Sequence, residues 1–572
     1  MSGIDRRKYL TATVLDQDLL DWCHDNLESK LEIIVDIETP DPGVFIYASD
    51  RNKYVGSTFY EALITFPIIN RTVGEWLAPT IQFSNLEIIL SNADGRFSKY
   101  LSGGASYDAF IGKTVEVKLG LAEQSSTYSR IFKGKITDIG GVSRNSFSIT
   151  FIARDLYDDL SVNFPTQAFT RDDFPYIDDS VAGKLVPVIY GDWTVSLDPD
   201  YACIPAYIVN GLDPNVQGGT RDDLQLVISI NGLVSFDTTN VYLFKSDIFW
   251  LVTAADVYSV GPGNNTFRIK QNSGIWNDDN GTLVAYQYTA GDVFFVRVKG
   301  KDLGAYDDNI ISQARDLLLS YSTLIAGDLD ANWDTFRDKS TPVQSAIANF
   351  KCRIWENEPK PLITYVLSLL EQVRLEAFVD RNLKLKLNSL HFEDWVAAPT
   401  FEIKNWDVVA GSMIPKIDDK NLFNRVRGDF DYHPNRNQNT RLTPLQRNDA
   451  SITQVGKAIS KQVVFPNLYI EATVIYQAVE ILRLASSLFE TITCNLTWRS
   501  MLQDIGGFAM VDVDIGSMVF ASVPMMIRNI GYDPTGLKIP VTLWNFQLVP
   551  FPGYTPLYTG TVAGYNATIT QE

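Results

Sequence analysis

The residues with the best prospects for chemistry are few. There are three histidines, His24, His391 and His433, and each stands alone in the sequence. A nucleophilic relay needs a histidine between a hydroxyl or thiol and a carboxylate, and a zinc centre needs converging histidine or cysteine ligands. No HExxH and no close cysteine pair accompanies them, so spacing assigns no catalytic residue and no metal ligand. The four cysteines, Cys23, Cys203, Cys352 and Cys494, lie far apart, which fits neither a zinc knuckle nor a secreted disulfide scaffold. They read as buried thiols of a reducing compartment. Phe110-Ile111-Gly112-Lys113-Thr114 has the end of a phosphate loop, but Tyr107 stands where its first glycine is required. VEVKLGL then continues as a strand where a helix must begin. Asn92-Ala93-Asp94-Gly95 and Asp328-Leu329-Asp330-Ala331-Asn332 have calcium-loop composition. Their closing positions are Leu101 and Lys339, without the bidentate carboxylate the ion needs, so both are read as turns. Adjacent acids such as Asp158/Asp159, Asp172/Asp173, Asp178/Asp179, Asp278/Asp279 and Asp418/Asp419 are read as turn and cap residues rather than a glycosidase pair. The expectation is a chain with no catalytic, cofactor-binding or metal site.

The elements that would have to position such residues are mainly strands. Residues 11–27 carry Val14, Leu15, Leu19, Leu20 and Trp22 at helical spacing. From residue 31 the segments LEIIVDIET, IQFSNLEIIL, KTVEVKLGL, RIFKGKITDI and SFSITFIA alternate or run apolar between glycine- and serine-rich turns. A second β-rich block spans 190–302, with Asn231-Gly232 and Asn280-Gly281 as hairpin signals. Helices are expected at 307–321 behind Asp307/Asp308, at 361–374 and at 474–489. LEAFV, Asp380-Arg381-Asn382 and LKLKLNSL form a hairpin directly after the second of these, and strands close the chain up to residue 552. The Gly- and Thr-rich tail beyond shows no core pattern and reads as an extended arm.

The chain has 572 residues, 45% of them hydrophobic and 20% charged, a globular profile long enough for several domains. Its net charge of −19 disfavours a general nucleic-acid or anionic-membrane binder, which needs clustered Lys and Arg. The first residues have no apolar core of a signal peptide, and no apolar run approaches the ~20 residues that span a bilayer. Folding in a cytoplasm is expected. Five regions follow: 1–189, an N-terminal helix with a first β domain; 190–302, an inserted β-rich domain; 303–400, a helix-hairpin α+β domain; 401–552, a second β domain; and 553–572, the arm.

Two stretches carry a family pattern. EIILSNADGRFSKYLSGGASYDAFIGKTVEVKLGL (87–121), with IFKGKITDIG, ITFIARDLYDDL and GKLVPVIYGDW, resembles the first domain of tail-tip or baseplate hub proteins of tailed bacteriophages. LLEQVRLEAFVDRNLKLKLNSL (369–390), DASITQVGKAI and the terminal strands resemble the later part of the same proteins. The resemblance implies a mainly β, multidomain virion protein with two tail-tube-like β domains. It would close the tail tube and adapt its sixfold symmetry to a threefold tip. Expected partners are two further copies in a homotrimer, a tail-tube or distal tail protein, and a central fibre or spike. Genomic DNA would pass through the channel without specific binding, with no membrane contact. The resemblance supplies no catalytic residue.

The chain also repeats itself. Ile111-Gly112-Lys113-Thr114-Val115-Glu116-Val117 parallels Ile515-Gly516-Ser517-Met518-Val519-Phe520-Ala521, and Ile136-Thr137-Asp138-Ile139-Gly140 parallels Ile527-Arg528-Asn529-Ile530-Gly531. Alternating strands follow both, at Phe147/Ile149/Phe151 and at Leu537/Ile539/Val541/Leu543. Two related domains in one chain would let a trimer present six similar faces to a tube. The alternative function is a tail-associated protein that binds or degrades polysaccharide through its 11 tryptophans and 26 tyrosines. Trp22, Trp193, Trp250, Trp333, Trp498 and Trp544 lie in apolar runs, which points to core roles instead.

Overall fold

A computed structural model describes residues 31–545 except for internal stretches, the longest being 98–109, 141–147, 195–202, 215–222, 339–349, 392–400 and 498–504, and also Thr570 and Gln571. The helix expected over 11–27, with Trp22, Cys23 and His24, lies outside the described residues. So does most of the C-terminal arm.

The first sheet is built from β1 (Leu31–Glu38), β2 (Phe45–Ser49), β3 (Lys53–Val55), β4 (Thr58–Ala62), β5 (Ile64–Thr65), β8 (Asn85–Ser91), β9 (Thr114–Leu121), β10 (Gln124–Gly140) and β11 (Ser148–Asp155). Its order is β3-β4-β2-β1-β9-β10-β11-β8-β5. Period-two alternation puts Ile33, Val35, Ile37, Val115, Val117 and Leu119 into the core. The opposite face is charged, with Lys118 against Asp36 and both Arg130 and Lys133 against Glu116. The hairpin β6 (Ile69–Glu75) and β7 (Ala78–Gln82) leaves this sheet altogether and is taken up below.

Two short strands, β12 (Asn163–Phe164) and β13 (Val188–Tyr190), tie the next region to the helical part of the chain. They pair with β24 (Lys360–Pro361) and β23 (Ile354–Glu356). Between them and the helices stands a separate nine-stranded sheet, β14–β22, between Ile204 and Lys301, with its own core. The chain enters and leaves it side by side: Gly300 N–H donates to the Gly191 carbonyl at 2.8 Å, and Trp193 N–H to Val298 at 2.9 Å. The two backbones approach so closely that only glycine fits. A Cβ on Gly300 would lie 2.4 Å from Tyr190 Cα, and one on Gly191 would lie 2.1 Å from the Cys352 carbonyl oxygen. On this stem we expect residues 194–297 to be replaceable by a short glycine-serine turn. The melting temperature of the remainder should fall by less than about 5 °C in calorimetry, and a larger fall would show that the insert supports its host.

The expected Asn231-Gly232 hairpin does not form. β15 (Leu224–Val227) pairs with β14 (Ile204–Ile208) and β19 (Thr266–Ile269), whereas β16 (Leu233–Lys245) pairs with β17 (Ile248–Val252) and β22 (Val293–Lys301). Asn231 turns its amide on the stem, donating to the Ile189 carbonyl at 3.3 Å and accepting from Ser229 Oγ at 2.6 Å. A side chain engaged with distant backbone sends the chain across the sheet rather than back along it. The Asn280-Gly281 turn lies outside the described residues, but the strands either side of it do pair, Asn277 opposite Thr282.

The helical part contains α1 (Ile310–Tyr321), α2 (Asn332–Asp338), α3 (Leu362–Gln372), α4 (Asp449–Val455) and α5 (Glu471–Ala485). The cap of α1 is Asn309, whose side chain accepts from Ile311 N–H, and not the Asp307/Asp308 pair. α5 ends at Ala485, so Phe489 opens a strand rather than closing the helix. The β-branched, alternating FETITCNL segment is better satisfied in a sheet. After α3 the hairpin β25 (Leu375–Val379) and β26 (Leu385–Ser389) forms as the sequence indicates.

The last sheet contains β27 (Phe401–Lys404), β28 (Ile414–Asp418), β33 (Phe489–Leu496), β34 (Phe508–Asp514), β35 (Val519–Tyr532) and β36 (Ile539–Asn545). Between β28 and β33 the chain makes β29–β32, between Arg425 and Phe465, packed on α5. At the far end β37 (Thr570–Gln571) pairs with β31 at Gln446 and Arg447.

Candidate functional site

The first and last large sheets contain the same six-strand arrangement. The first has the order β1-β9-β10-β11-β8-β5 and the second β27-β34-β35-β36-β33-β28, with the strands arising in the same sequence along the chain. One direction differs: β1 runs antiparallel to β9, whereas β27 runs parallel to β34.

The equivalence extends to single residues. In the first sheet Ile136 faces Ala153 and Asp138 faces Ile152, so Thr137 is the extra residue of a β-bulge. In the second Ile527 faces Leu543 and Asn529 faces Thr542, so Arg528 is the extra residue. A second register shift follows Val117/Phe132 in one sheet and Val511/Val523 in the other. At the head of each meander a left-handed glycine turns the chain, Gly112 at φ +82° and Gly506 at φ +73°. Gly112 N–H donates to the Ile136 carbonyl at 2.7 Å, and Gly506 N–H donates to the Ile527 carbonyl at 2.8 Å. Bulges are specific features of a strand pair, so two at matching places with a matching glycine show one design used twice.

This corrects part of the sequence comparison. The matches of Ile136–Gly140 with Ile527–Gly531, and of the strands after them, hold. The match of Ile111-Gly112 with Ile515-Gly516 does not. Residues 515–518 lie outside the described residues, and Val519 opens β35, the second strand of its meander, whereas Val115 stands on β9, the first. The counterpart of Ile111-Gly112 is Ile505-Gly506. Both dipeptides are Ile-Gly, and only the pairing partner of the glycine N–H separates the true repeat from the decoy.

The two copies differ in what covers them. The β6–β7 hairpin of the first unit crosses to the second and extends β35, with Asn529 opposite Thr72 and Tyr532 opposite Ile69. The β25–β26 hairpin lies against Gly506. A Cβ at Gly506 would meet Phe378 at 2.8 Å and the Asn388 amide at 3.2 Å, while at Gly112 it would meet nothing within 4 Å. Arg528, only 2% exposed, pairs with the wholly buried Glu376 on β25, and its guanidinium lies 3.9 Å from the Trp544 ring centroid. The counterpart Thr137 is exposed. Gly506→Ala is therefore expected to cost roughly 1–3 kcal/mol more than Gly112→Ala, since both incur the left-handed strain but only the first meets a packed ring. Urea melts of the two variants compare them directly, and equal losses would contradict the packing.

Deeper in the junction lies a buried charged cluster. Arg374 sits beneath the helices with a left-handed φ of +56°. Burial pulls its guanidinium down to about 10, against the pull of Glu480, Glu371 and Glu376. Burial would raise Glu480, but the charge of Arg483, whose Nη1 is 2.6 Å away, and the neighbouring His391 bring it down to about 2. His391 donates from Nε2 to the Val373 carbonyl at 3.0 Å and holds Nδ1 3.7 Å from Glu480. Sequence reading attached no role to these groups, because their partners come from α3, β25, α5 and β35, far apart in the chain. On the far side, Arg353 pairs with Asp431 between the rings of Trp193 and Tyr469, at 4.7 and 4.6 Å.

Among the described residues the other chemistry-bearing groups do not converge. His433 Nδ1 contacts Asn435 at 2.6 Å, and Cys203, Cys352 and Cys494 are buried thiols. Asn92 closes a turn, its carbonyl accepting from Gly95 N–H at 3.0 Å and its Oδ1 from Phe97 N–H at 2.8 Å. Asp328 and Asp330 cap their own loop by accepting from Ile325 N–H and Asn332 N–H. Among the described residues no group of three His, Cys, Asp or Glu is placed to hold a metal ion. An open cleft of about 630 Å³, lined by Asn163, Thr166, Lys184, Leu185, Asn357 and Glu358 among others, contains no nucleophile-base pair. Trp193 and Trp333 are core residues, while Trp406 is 55% exposed. Among the described residues no helix is long and apolar enough to cross a membrane.

No protein-family model and no curated protein matches the sequence. Solved tail proteins are similar to this chain. The tail protein from Neisseria meningitidis MC58 is 10% identical, over 91% of this chain and 98% of that one, with a TM-score of 0.42. The 43 kDa tail protein of prophage MuSo2 from Shewanella oneidensis is 9% identical, over 90% and 98%, with a TM-score of 0.40. The prophage tail protein gp18 from Listeria monocytogenes EGD-e is 11% identical, over 63% and 94%, with a TM-score of 0.25.

Proposed function

We propose that this chain is a structural hub protein of a phage tail tip or baseplate, closing the end of the tail tube and adapting its sixfold symmetry to a threefold tip. The duplicated six-strand unit carries this reading. A closed ring requires matching contacts at every interface, and a chain with two equivalent β units supplies six of them from three copies. The units in residues 1–189 and 401–552 would alternate around a channel. The 190–302 insert and the 303–400 helix-hairpin region would then lie outside or below the ring. A tail-tube or distal tail protein would bind one face and a fibre or spike the other. DNA would slide through a lining without a continuous basic track, because clustered Lys and Arg would hold its phosphates. The role is mechanical, with no turnover.

Electron microscopy of the purified protein, alone and with tail-tube protein, tests the reading. The expected particle is a three-chain ring with six similar lobes around a channel. A chain that stays monomeric with and without tube protein would overturn it, as would hydrolysis of cell-wall glycan abolished by one point substitution.

A further inference from the structure

The first sheet ends at β3 and β4, where two rings stand out from the fold. Tyr54 and Phe59 are directly opposite each other in this hairpin, with centroids 5.0 Å apart. Tyr54 is 72% exposed and Phe59 41%. Strand alternation places both on the core side of the sheet. Tyr60, the neighbour of Phe59, donates to Asp36 at 2.8 Å on the charged side. Glu61, two residues on, lies beside Ala48, which points into the core. The core face of the sheet therefore runs on, uncovered, at Tyr54 and Phe59.

We propose that this overhang is the seat of the chain's own N-terminal segment, residues 11–27, docked as an amphipathic helix. Leu15, Leu19 and Trp22 recur at the i, i+4, i+7 spacing of one helical face. A helix of this length is marginal alone in water and needs an apolar surface to lie on. The segment is tethered beside the rings. Only residues 28–30, roughly 10 Å of extended chain, separate it from β1. Glu32, the second residue of β1, holds Lys53 Nζ at 2.6 Å, and Lys53 adjoins Tyr54. So short a tether gives the segment a high effective concentration at the hairpin. Charge matches as well. The segment carries Asp16, Asp18, Asp21 and Asp25 with no Lys or Arg, and Arg51, between β2 and β3, is 43% exposed in its side chain. The exposed Val44, Phe45 and Ile111 are poorer seats, because they lie at the other end of β1, where Glu38 faces Phe45 and Ile37 faces Val115. The 8 residues of β1, roughly 25 Å, separate that end from the tether. The inference makes no use of the ring reading.

The test uses the full chain with the photo-crosslinking substitution Tyr54→p-benzoylphenylalanine, made as a mixture of isotopically light and heavy copies and mapped by mass spectrometry. The expected adduct joins position 54 to residues 11–27 of the same copy. Adding Leu15→Asp and Leu19→Asp should lower its yield at least about tenfold, because two leucines lose their burial. The same probe in Phe45→p-benzoylphenylalanine should give no adduct to residues 11–27. Adducts from position 54 only to another copy or another part of the chain, no adduct at all, or an undiminished yield in the double variant would overturn the seat. The oligomeric state does not bear on this result, so a monomeric chain that gives the expected adduct would overturn the ring reading and leave the seat standing.

Discussion

Replacing Arg528 by alanine is expected to destabilise the chain by about 3–5 kcal/mol, the range for removing one partner of a buried ion pair. Glu376 is wholly buried, and after the substitution its carboxylate keeps the Asn388 amide, at 2.9 Å, and the charge of Arg374 but loses its ion-pair partner. The stack on Trp544 is lost as well. Urea denaturation should show a lower midpoint with an unchanged slope. Adding Glu376→Gln should recover part of the loss, because the orphaned charge disappears. Thr137→Ala, at the matching bulge of the first unit, should change stability by less than about 0.5 kcal/mol, as an exposed surface substitution does. A loss below about 1 kcal/mol for Arg528→Ala would show that the pair does not anchor β25 to β35.

Acid should remove about 3 kcal/mol of stability through Glu480 alone, taking 1.36 kcal/mol for each unit between its ordinary 4.5 and its folded value of about 2. The folded group is the stronger acid, so its contribution is fully present above pH 4.5 and is lost as pH falls from there towards 2. Glu480→Gln provides the check. At pH 7 the variant should be less stable, because Arg483 loses its carboxylate. Between pH 5 and pH 2.5 its stability should fall less steeply than that of the parent chain. Parallel curves would place the acid response elsewhere.

Much of the architecture is legible along the chain. The alternation of LEIIVDIE, TVEVKLGL and FETITCNL places strands, and LITYVLSLLEQ places a helix. The helix-hairpin at 362–389 follows from pattern alone. Errors fell where a residue's partner is remote. Asn231-Gly232 has the composition of a tight turn, yet the Asn231 amide is committed to Ile189, more than forty residues earlier. Phe489 fits a helical face, yet the strand it opens is needed beside β36.

The repeated β unit divides the same way. By itself the sequence determined that the chain is mainly β, that Ile-Gly turns recur, and that ITDIG and IRNIG are counterparts, because backbone alternation and left-handed glycine are local properties. It could not determine which Ile-Gly heads the second meander, since Ile505-Gly506 and Ile515-Gly516 are locally alike. Only the bond from Gly506 N–H to Ile527 separates them. Nor could it determine that Arg528 is buried while Thr137 is exposed. Both occupy the extra position of a bulge, and burial is decided by what another part of the chain lays over it: Glu376 and Phe378 in one unit, and nothing from the described chain at the Gly112 position of the other. Burial and charge pairing depend on contacts between distant segments, so the tertiary structure alone reveals that two equal faces have unequal cover.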